Sequence, residues 1–340
     1  MGLWSVPTKI MLAGEYGVLA PGGRALAMAV TPRLRVATAP TPGVTVLRIE
    51  PYPGAPAVEF VPDAVGSTPL ADLAPGERLP AAMWAVAGAA GLTPAPMVVH
   101  LSWEEDPDDW TPVGTSAAAA VGLALAITDG DAGAALPLAL AGHAQAQGGG
   151  SGYDVATCLT GRATVFQAAA QPPVAAPGEA TGARTERVSL VPGLRIVEAF
   201  TGRRAPTREL LVRLDAARAA APRGLADALA DHGRTSAALV AALTGTSFEA
   251  LTGAVDDASA SLEALDACLD GRVLTGEIRT LIEIARRAGV PARVSGAGGG
   301  DGVVAFARTE WMASRLRMRW IQAGFAARVV APAPGPVGDT

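Results

Sequence analysis

Residues 7–23 read PTKIMLAGEYGVLAPGG, and they contain Lys9, the one lysine in the 340-residue chain. The other 26 of its 27 basic residues are arginine. Drift from lysine to arginine wherever either charge serves would account for the scarcity, but not for the survivor. Position 9 then reads either as a chance remnant or as a place that needs a compact ammonium, which a planar guanidinium cannot replace. The apolar stretch around it reads as a strand over 9–13, the first of several short strands.

Half of the residues are apolar, enough for a large core and for one to three domains. The net charge is −5 and no basic run occurs, which argues against a nucleic-acid-binding face. Cys158 and Cys268 form no CxxC pair and sit in no His/Cys cluster, so they read as reduced thiols with no zinc site. No signal-peptide pattern opens the chain, and the longest run of apolar residues and glycine, 117–127, is too short to span a bilayer. A soluble, cytoplasmic protein without membrane partners is expected.

Further strands are expected at 25–30, 34–38, 44–49, 97–103, 194–200 and 326–330, with strand character across 293–307. Helical patterns occupy 79–90, the second half of 111–127, 137–147, 207–221, two or three segments within 223–288, and 311–323. The acidic run 104–109 reads as a solvated loop, and 168–187 as a long loop. Strands and helices mix without a regular βαβ rhythm, which favours an α+β fold over a doubly wound sheet.

Three glycine-rich loops stand out. Pro112-Val-Gly-Thr-Ser116 precedes an alanine-rich helix, whose start offers unpaired N–H groups and a partial positive charge. Gly114 permits close approach, and the Thr115 and Ser116 hydroxyls could reach phosphate or Mg²⁺; a plain Ser/Thr helix cap is the alternative. Gly148-Gly-Gly-Ser-Gly-Tyr-Asp154 is either a loop that passes close to a ligand or a flexible turn with a capping aspartate. Ser295-Gly-Ala-Gly-Gly-Gly-Asp301 is either an anion-binding nest or a glycine-rich hairpin. Together with one point charge, these parts suit phosphoryl transfer, which rests on positioning and neutralising oxygens.

The same segments resemble the GHMP kinases along nearly the whole chain. KIMLAGEYGVLAPGG, PVGTSAAAAV and SGAGGGD are similar to the family's three motifs, in order. AGEY followed by VLAPG, the terminal Asp301, QGGGSGYDVATCLTG and FTGRRAPTREL look most like the phosphomevalonate kinase branch. The resemblance implies a two-domain α+β fold: a part like ribosomal protein S5 domain 2 over 1–190, binding nucleotide, and a ferredoxin-like part over 191–332. A flexible tail, 333–340, would follow. It implies ATP and Mg²⁺ as cofactors, a small phosphorylated acceptor as partner, and 5-phosphomevalonate going to 5-diphosphomevalonate, within isoprenoid precursor synthesis. The oligomeric state stays open, a homodimer included. Another kinase of the family, such as a mevalonate kinase, and a catalytically silent binding relative are the alternatives.

Carried over residue by residue, the resemblance makes Lys9 and Asp154 catalytic. Lys9 would lie between the ATP γ-phosphate and the acceptor, and Asp154 would orient Lys9 or metal-bound water. Pro112, Val113, Gly114, Thr115, Ser116 and Ala117 would hold ATP, with Ser116 on the metal. Ser151, Gly152, Arg204, Thr207, Gly296, Ala297, Gly298 and Gly299 would join Lys9 in binding the acceptor. Glu15 matches a structural glutamate. The chain departs from the family pattern at Trp110, Pro112, Thr115, Pro206 and Arg293. It departs also at His143, which stands where a magnesium-binding glutamate is found in mevalonate kinase and reads as a buried structural histidine. Arg203, Arg204 and Arg208 could supply the positive charge so lost. Trp103 or Trp110 would stack on adenine or pack in the core, and His100 and His232 read as scaffold.

Overall fold

The computed structural model describes residues 1–62, 68–105, 111–169, 183–205 and 207–339. Trp110, Pro206 and most of the acidic run lie outside the described residues.

The apolar alternation of the first forty residues builds a long hairpin. Strand β1 (Leu3–Ala13) pairs antiparallel with β2 (Arg24–Pro40). Two strands were expected where β2 is one. The ladder skips from Pro7↔Arg33 to Thr8↔Val30, so Pro32, which has no N–H to donate, sits in an irregularity instead of ending the strand. Around this hairpin lie β3 (Val46–Ile49), β4 (Val58–Phe60), β5 (Met97–Trp103), β6 (Ala163–Gln167) and β7 (Arg184–Val188). β2 carries β5 along its C-terminal half and β6 along its N-terminal half, while β3 joins β5 in parallel.

The second sheet runs β11 (Ala326–Val330), β8 (Arg195–Phe200), β10 (Gly302–Ala307), β9 (Ala292–Ser295), antiparallel throughout. Helices α1 (Pro75–Ala89), α2 (Thr115–Ile127), α3 (Ala132–Gln147) and α4 (Tyr153–Thr160) accompany the first sheet. Helices α5 (Thr207–Ala220), α6 (Pro222–Leu243), α7 (Phe248–Ala267), α8 (Gly276–Arg287) and α9 (Glu310–Gln322) occupy the second half. An α+β architecture is what the mixed pattern implied, and the structure builds it on two sheets.

Helix α2 explains its own composition. From Val121 to Ile127 every residue is buried, inside a core shared with Leu34, Val36, Val99 and Leu101, so small side chains let it lie close against the sheet. Among the described residues no helix is long and apolar enough to cross a membrane.

The last residues depart from expectation. The tail from 333 was read as flexible because it is rich in proline and glycine. Instead Val337–Asp339 forms β12 on the free edge of β1. Before it, Ala333 exchanges backbone hydrogen bonds with Ala29 and Arg162, and the Arg33 guanidinium donates to the carbonyls of Pro334 and Gly335. The backbone there is paired, and prolines are tolerated because they flank the strand instead of interrupting it.

The two halves meet where β9 ends. Ser295 Oγ donates to the Met11 carbonyl at 2.9 Å and accepts from the Met11 N–H at 3.2 Å. Tyr16 Oη donates to the Ala297 carbonyl at 2.7 Å. The GEY turn and the third glycine loop thus form one wall.

Candidate active site

A cleft of about 860 Å³ opens between the halves, and all three glycine loops border it. Lys9 reaches it from β1. It is buried to 9 % exposure, and its Nζ donates to Tyr153 Oη at 3.2 Å, 5.1 Å from the centre of that ring. Burial by itself pulls the ammonium towards deprotonation, but Tyr153, Asp154 and Asp301 outweigh it and hold its pKa above the ordinary lysine range. Lys9 is therefore a fixed cation at any physiological pH.

The first glycine loop lies directly on the lysine's backbone. Gly114 has φ +73°, and a Cβ there would stand 2.7 Å from the Lys9 carbonyl oxygen and 2.8 Å from its nitrogen. Only glycine lets the start of α2 press this close. Gly114 is also the N-cap, and no side chain caps the helix. Helices α3, α7, α8 and α9, by contrast, are capped by Asp131, Ser247, Thr275 and Thr309. The reading of Thr115 and Ser116 as ordinary caps is thereby overturned: Thr115 Oγ1 bonds back to the Pro112 carbonyl, and Ser116 Oγ faces His143 and Gln147. Helix α4 starts in the same way, from Gly152 at φ +80° with no side-chain cap. Two helix starts without a capping side chain thus border one cleft; the free N–H groups of α2 make a place for an anion, while at α4 the Asp154 carboxylate takes the Val155 N–H.

Asp154, in the first turn of α4, accepts from the Val155 N–H at 2.9 Å and stands 3.8 Å from His143 Nε2. Burial alone would raise its pKa. His143 and Lys9, with the backbone N–H bonds, reverse this and hold the carboxyl below the usual range. It is a carboxylate in waiting, not a proton store. Among the described residues no carboxylate oxygen lies within 4 Å of Lys9 Nζ; the lysine's direct contact is the phenol. His143 was expected to be a buried structural residue. It is buried, yet its Nε2 lies 3.2 Å from Ser116 Oγ and 2.8 Å from Gln147 Nε2, so it belongs to the site.

Pro112, Gly114, Thr115, Ser116, Ser151, Gly152, Arg204, Gly296 and Ala297 all border the cleft as expected. Val113, Ala117, Gly298 and Gly299 do not. Val113 and Ala117 turn buried side chains into the core, which leaves them only their backbone to offer. Gly299 donates its N–H to the Val273 carbonyl, and a Cβ on Gly298 would meet Val273 at 2.5 Å, so that half of the loop faces the segment between α7 and α8. Thr207 opens α5. Of the three arginines proposed to grip phosphate, Arg204 borders the cleft, Arg203 pairs with Glu277 at 2.9 Å, and Arg208 approaches Gly148. Asp301 sets this turn: its Oδ1 accepts from the Ala205 N–H and its N–H donates to the Arg203 carbonyl.

Sequence reasoning passed over Tyr153, Tyr16 and Gln147, none of which carries a spacing signal. Arg293 and Glu15 pair behind the site, Trp103 donates its indole N–H to the Glu50 carbonyl as a scaffold residue does, His232 is buried among Ser236 and Ser261, and His100 is exposed on β5.

Among the described residues no three His, Cys, Asp or Glu side chains gather to cage a metal ion. Among the oxygens that border the cleft, the Ser116 hydroxyl and the Asp154 carboxylate stand against the same imidazole nitrogen. That set fits Mg²⁺, which keeps most of its shell as water and substrate phosphate.

Residues 248–325 match the family model described as GHMP kinases C terminal. A comparison with curated protein sequences returns no match. Among solved structures, the Lin0012 protein from Listeria innocua superposes with a TM-score of 0.83 at 20% identity, covering 100% of this chain and 99% of that one. Streptococcus pneumoniae phosphomevalonate kinase in complex with phosphomevalonate and AMPPNP gives 0.75 at 19% identity, covering 96% and 99%. Methanococcus jannaschii mevalonate kinase gives 0.70 at 14% identity, covering 97% of each chain.

Proposed function

We propose that the chain is a GHMP kinase, a reading supported by the match of residues 248–325 and by the shared fold, and that it transfers the γ-phosphoryl group of ATP to 5-phosphomevalonate, giving 5-diphosphomevalonate and ADP. The observation that carries this reading is the convergence of two uncapped helix starts on a buried, permanently charged Lys9. The S. pneumoniae enzyme, whose structure holds phosphomevalonate and AMPPNP, shares the fold across nearly the whole chain and supports the choice of acceptor. So do Arg204 in the cleft wall and the SGYD and SGAGGGD motifs.

The nucleotide phosphates lie against the N–H groups of Gly114, Thr115 and Ser116 at the start of α2. The acceptor enters by the second and third loops, with its phosphate towards Arg204. An oxygen of that phosphate attacks the γ-phosphorus, the bond from the γ-phosphorus to the β–γ bridging oxygen breaks, and ADP departs. The phosphate's second pKa is about 6, so the nucleophile is already ionised and no base is needed. A carboxyl held ionised, as Asp154 is, suits orientation of neighbouring donors. Lys9 shares its protons between the oxygens of donor and acceptor, neutralising charge where it accumulates. Ser116 and Asp154 would hold Mg²⁺, which would supply further neutralisation of the phosphates.

The test is ADP release against a panel of acceptors. 5-Phosphomevalonate is expected to support turnover and mevalonate not. Turnover on mevalonate with none on its phosphate would overturn the acceptor assignment, and ADP release from no acceptor would overturn the activity.

A further inference from the structure

A lysine side chain has four rotatable bonds, so an ammonium that must meet phosphoryl oxygens has to be held in place. A carboxylate in contact would hold it and, in the same stroke, cancel its charge. This site has a different anchor. The Lys9 Nζ hydrogen-bonds to the Tyr153 phenol at 3.2 Å, with the ring face 5.1 Å away, while Asp154 and Asp301 act on it from beyond contact. The phenol is itself well rooted. Tyr153 is the first residue of α4, behind Gly152, where a Cβ would come within 2.4 Å of Leu140. Its ring packs on the cluster of Met11, Val18 and Phe166, and its carbonyl accepts from Thr157 Oγ1 at 2.7 Å.

An ammonium has three donors and no acceptor. One goes to the phenol oxygen, which leaves two for ligand oxygens in the cleft. The phenol carries no formal charge, so it fixes the nitrogen without discharging it, and the aromatic face adds cation–π attraction.

We propose that Tyr153 is the positioning residue of this site, its neutral oxygen anchoring the Lys9 ammonium while leaving its charge and two of its protons to the phosphoryl groups. This rests on the phosphotransferase reading given above. The single lysine makes the contact directly observable, because protein grown on lysine carrying ¹³C at Cε gives one side-chain signal. Tyr153→Phe keeps the ring and removes the oxygen. In that variant the Cε signal is expected to sharpen as the side chain gains mobility. Turnover number is expected to fall about tenfold, with KM for ATP within about twofold, because the lost interaction acts in the transition state. Tyr153→Gln, which restores an accepting oxygen, is expected to retain more activity than Tyr153→Leu, and this pair decides the matter if the phenylalanine variant fails to fold. Unchanged Cε relaxation with unchanged turnover overturns the proposal, and so does a rise in KM alone. Absence of ADP release from any acceptor in the unaltered protein would sink the phosphotransferase reading instead, while the Cε comparison would still report on the anchor.

Discussion

Glu15 and Arg293 form an ion pair at 2.5 Å with side chains 0% and 1% exposed, and it ties the turn after β1 to β9 in the other sheet. It stands directly behind the wall that Tyr16 and Ala297 share. Breaking a buried pair by removing one partner leaves a charge without water or counterion, which costs about 3–5 kcal/mol. Arg293→Met is expected to lower the unfolding free energy by that order, and Glu15→Gln in the same chain to recover a good part of it. The check is urea unfolding of the two variants against the parent. Equal stability of all three would show that the pair is not what joins the halves.

Gly114 offers a sharper local test. Alanine there would place a methyl carbon inside van der Waals contact with the backbone of Lys9, in a left-handed conformation that costs about 1–3 kcal/mol by itself. Gly114→Ala is expected to destabilise the protein measurably and to raise KM for ATP, since the start of α2 must move away. Calorimetric ATP titration checks the second effect; unchanged affinity would separate the loop from the nucleotide.

His232 supplies a pH dependence. Burial, with Arg293 adding to it, pushes its imidazole down to about 3. The unfolded chain takes up that proton below about pH 6.5 and the folded protein does not, so stability is lost as pH falls from about 6.5 towards 3. At pH 5 the loss attributable to this residue is about 2 kcal/mol relative to pH 7.5. His232→Gln is expected to flatten that part of the stability profile, read from urea midpoints at the two pH values. Parallel profiles for the variant and its parent would contradict the assignment.

The C-terminal residues yield a fourth expectation. Because β12 pairs with β1, and the preceding turn satisfies Arg33 and the backbone of Arg162, removal of residues 333–340 uncovers an edge beside the strand that carries Lys9. The truncated chain is expected to melt several degrees lower. A melting temperature equal to that of the full chain would mean that the pairing contributes nothing.

Much of this architecture was legible because its signals are local. The alternation of 97–103 and of 326–330 marks two strands to the residue, and the glycine loops mark the cleft. What escaped was set by tertiary partners. β6 and β7 are short, and β7 is largely exposed, so neither shows a clean apolar alternation. Helix α4 is eight residues long and starts in a glycine run that reads as loop. Tyr153 carries no sequence signal for its role, since nothing in SGYD says that its hydroxyl meets a lysine 144 positions earlier. Val113 and Ala117 looked like site residues because they sit within a motif; helix periodicity turns Ala117 inward, and Val113, in the turn before α2, packs into the core.

The lone lysine remains the deciding position. The most direct measurement is the turnover number for ATP and 5-phosphomevalonate in the parent protein and in Lys9→Arg. Arginine keeps the charge but spreads it over a plane that cannot occupy the point between two phosphoryl groups. A fall of at least about a hundredfold, near 2.7 kcal/mol in the barrier, is expected. Turnover within about tenfold of the parent would contradict the role given to the ammonium.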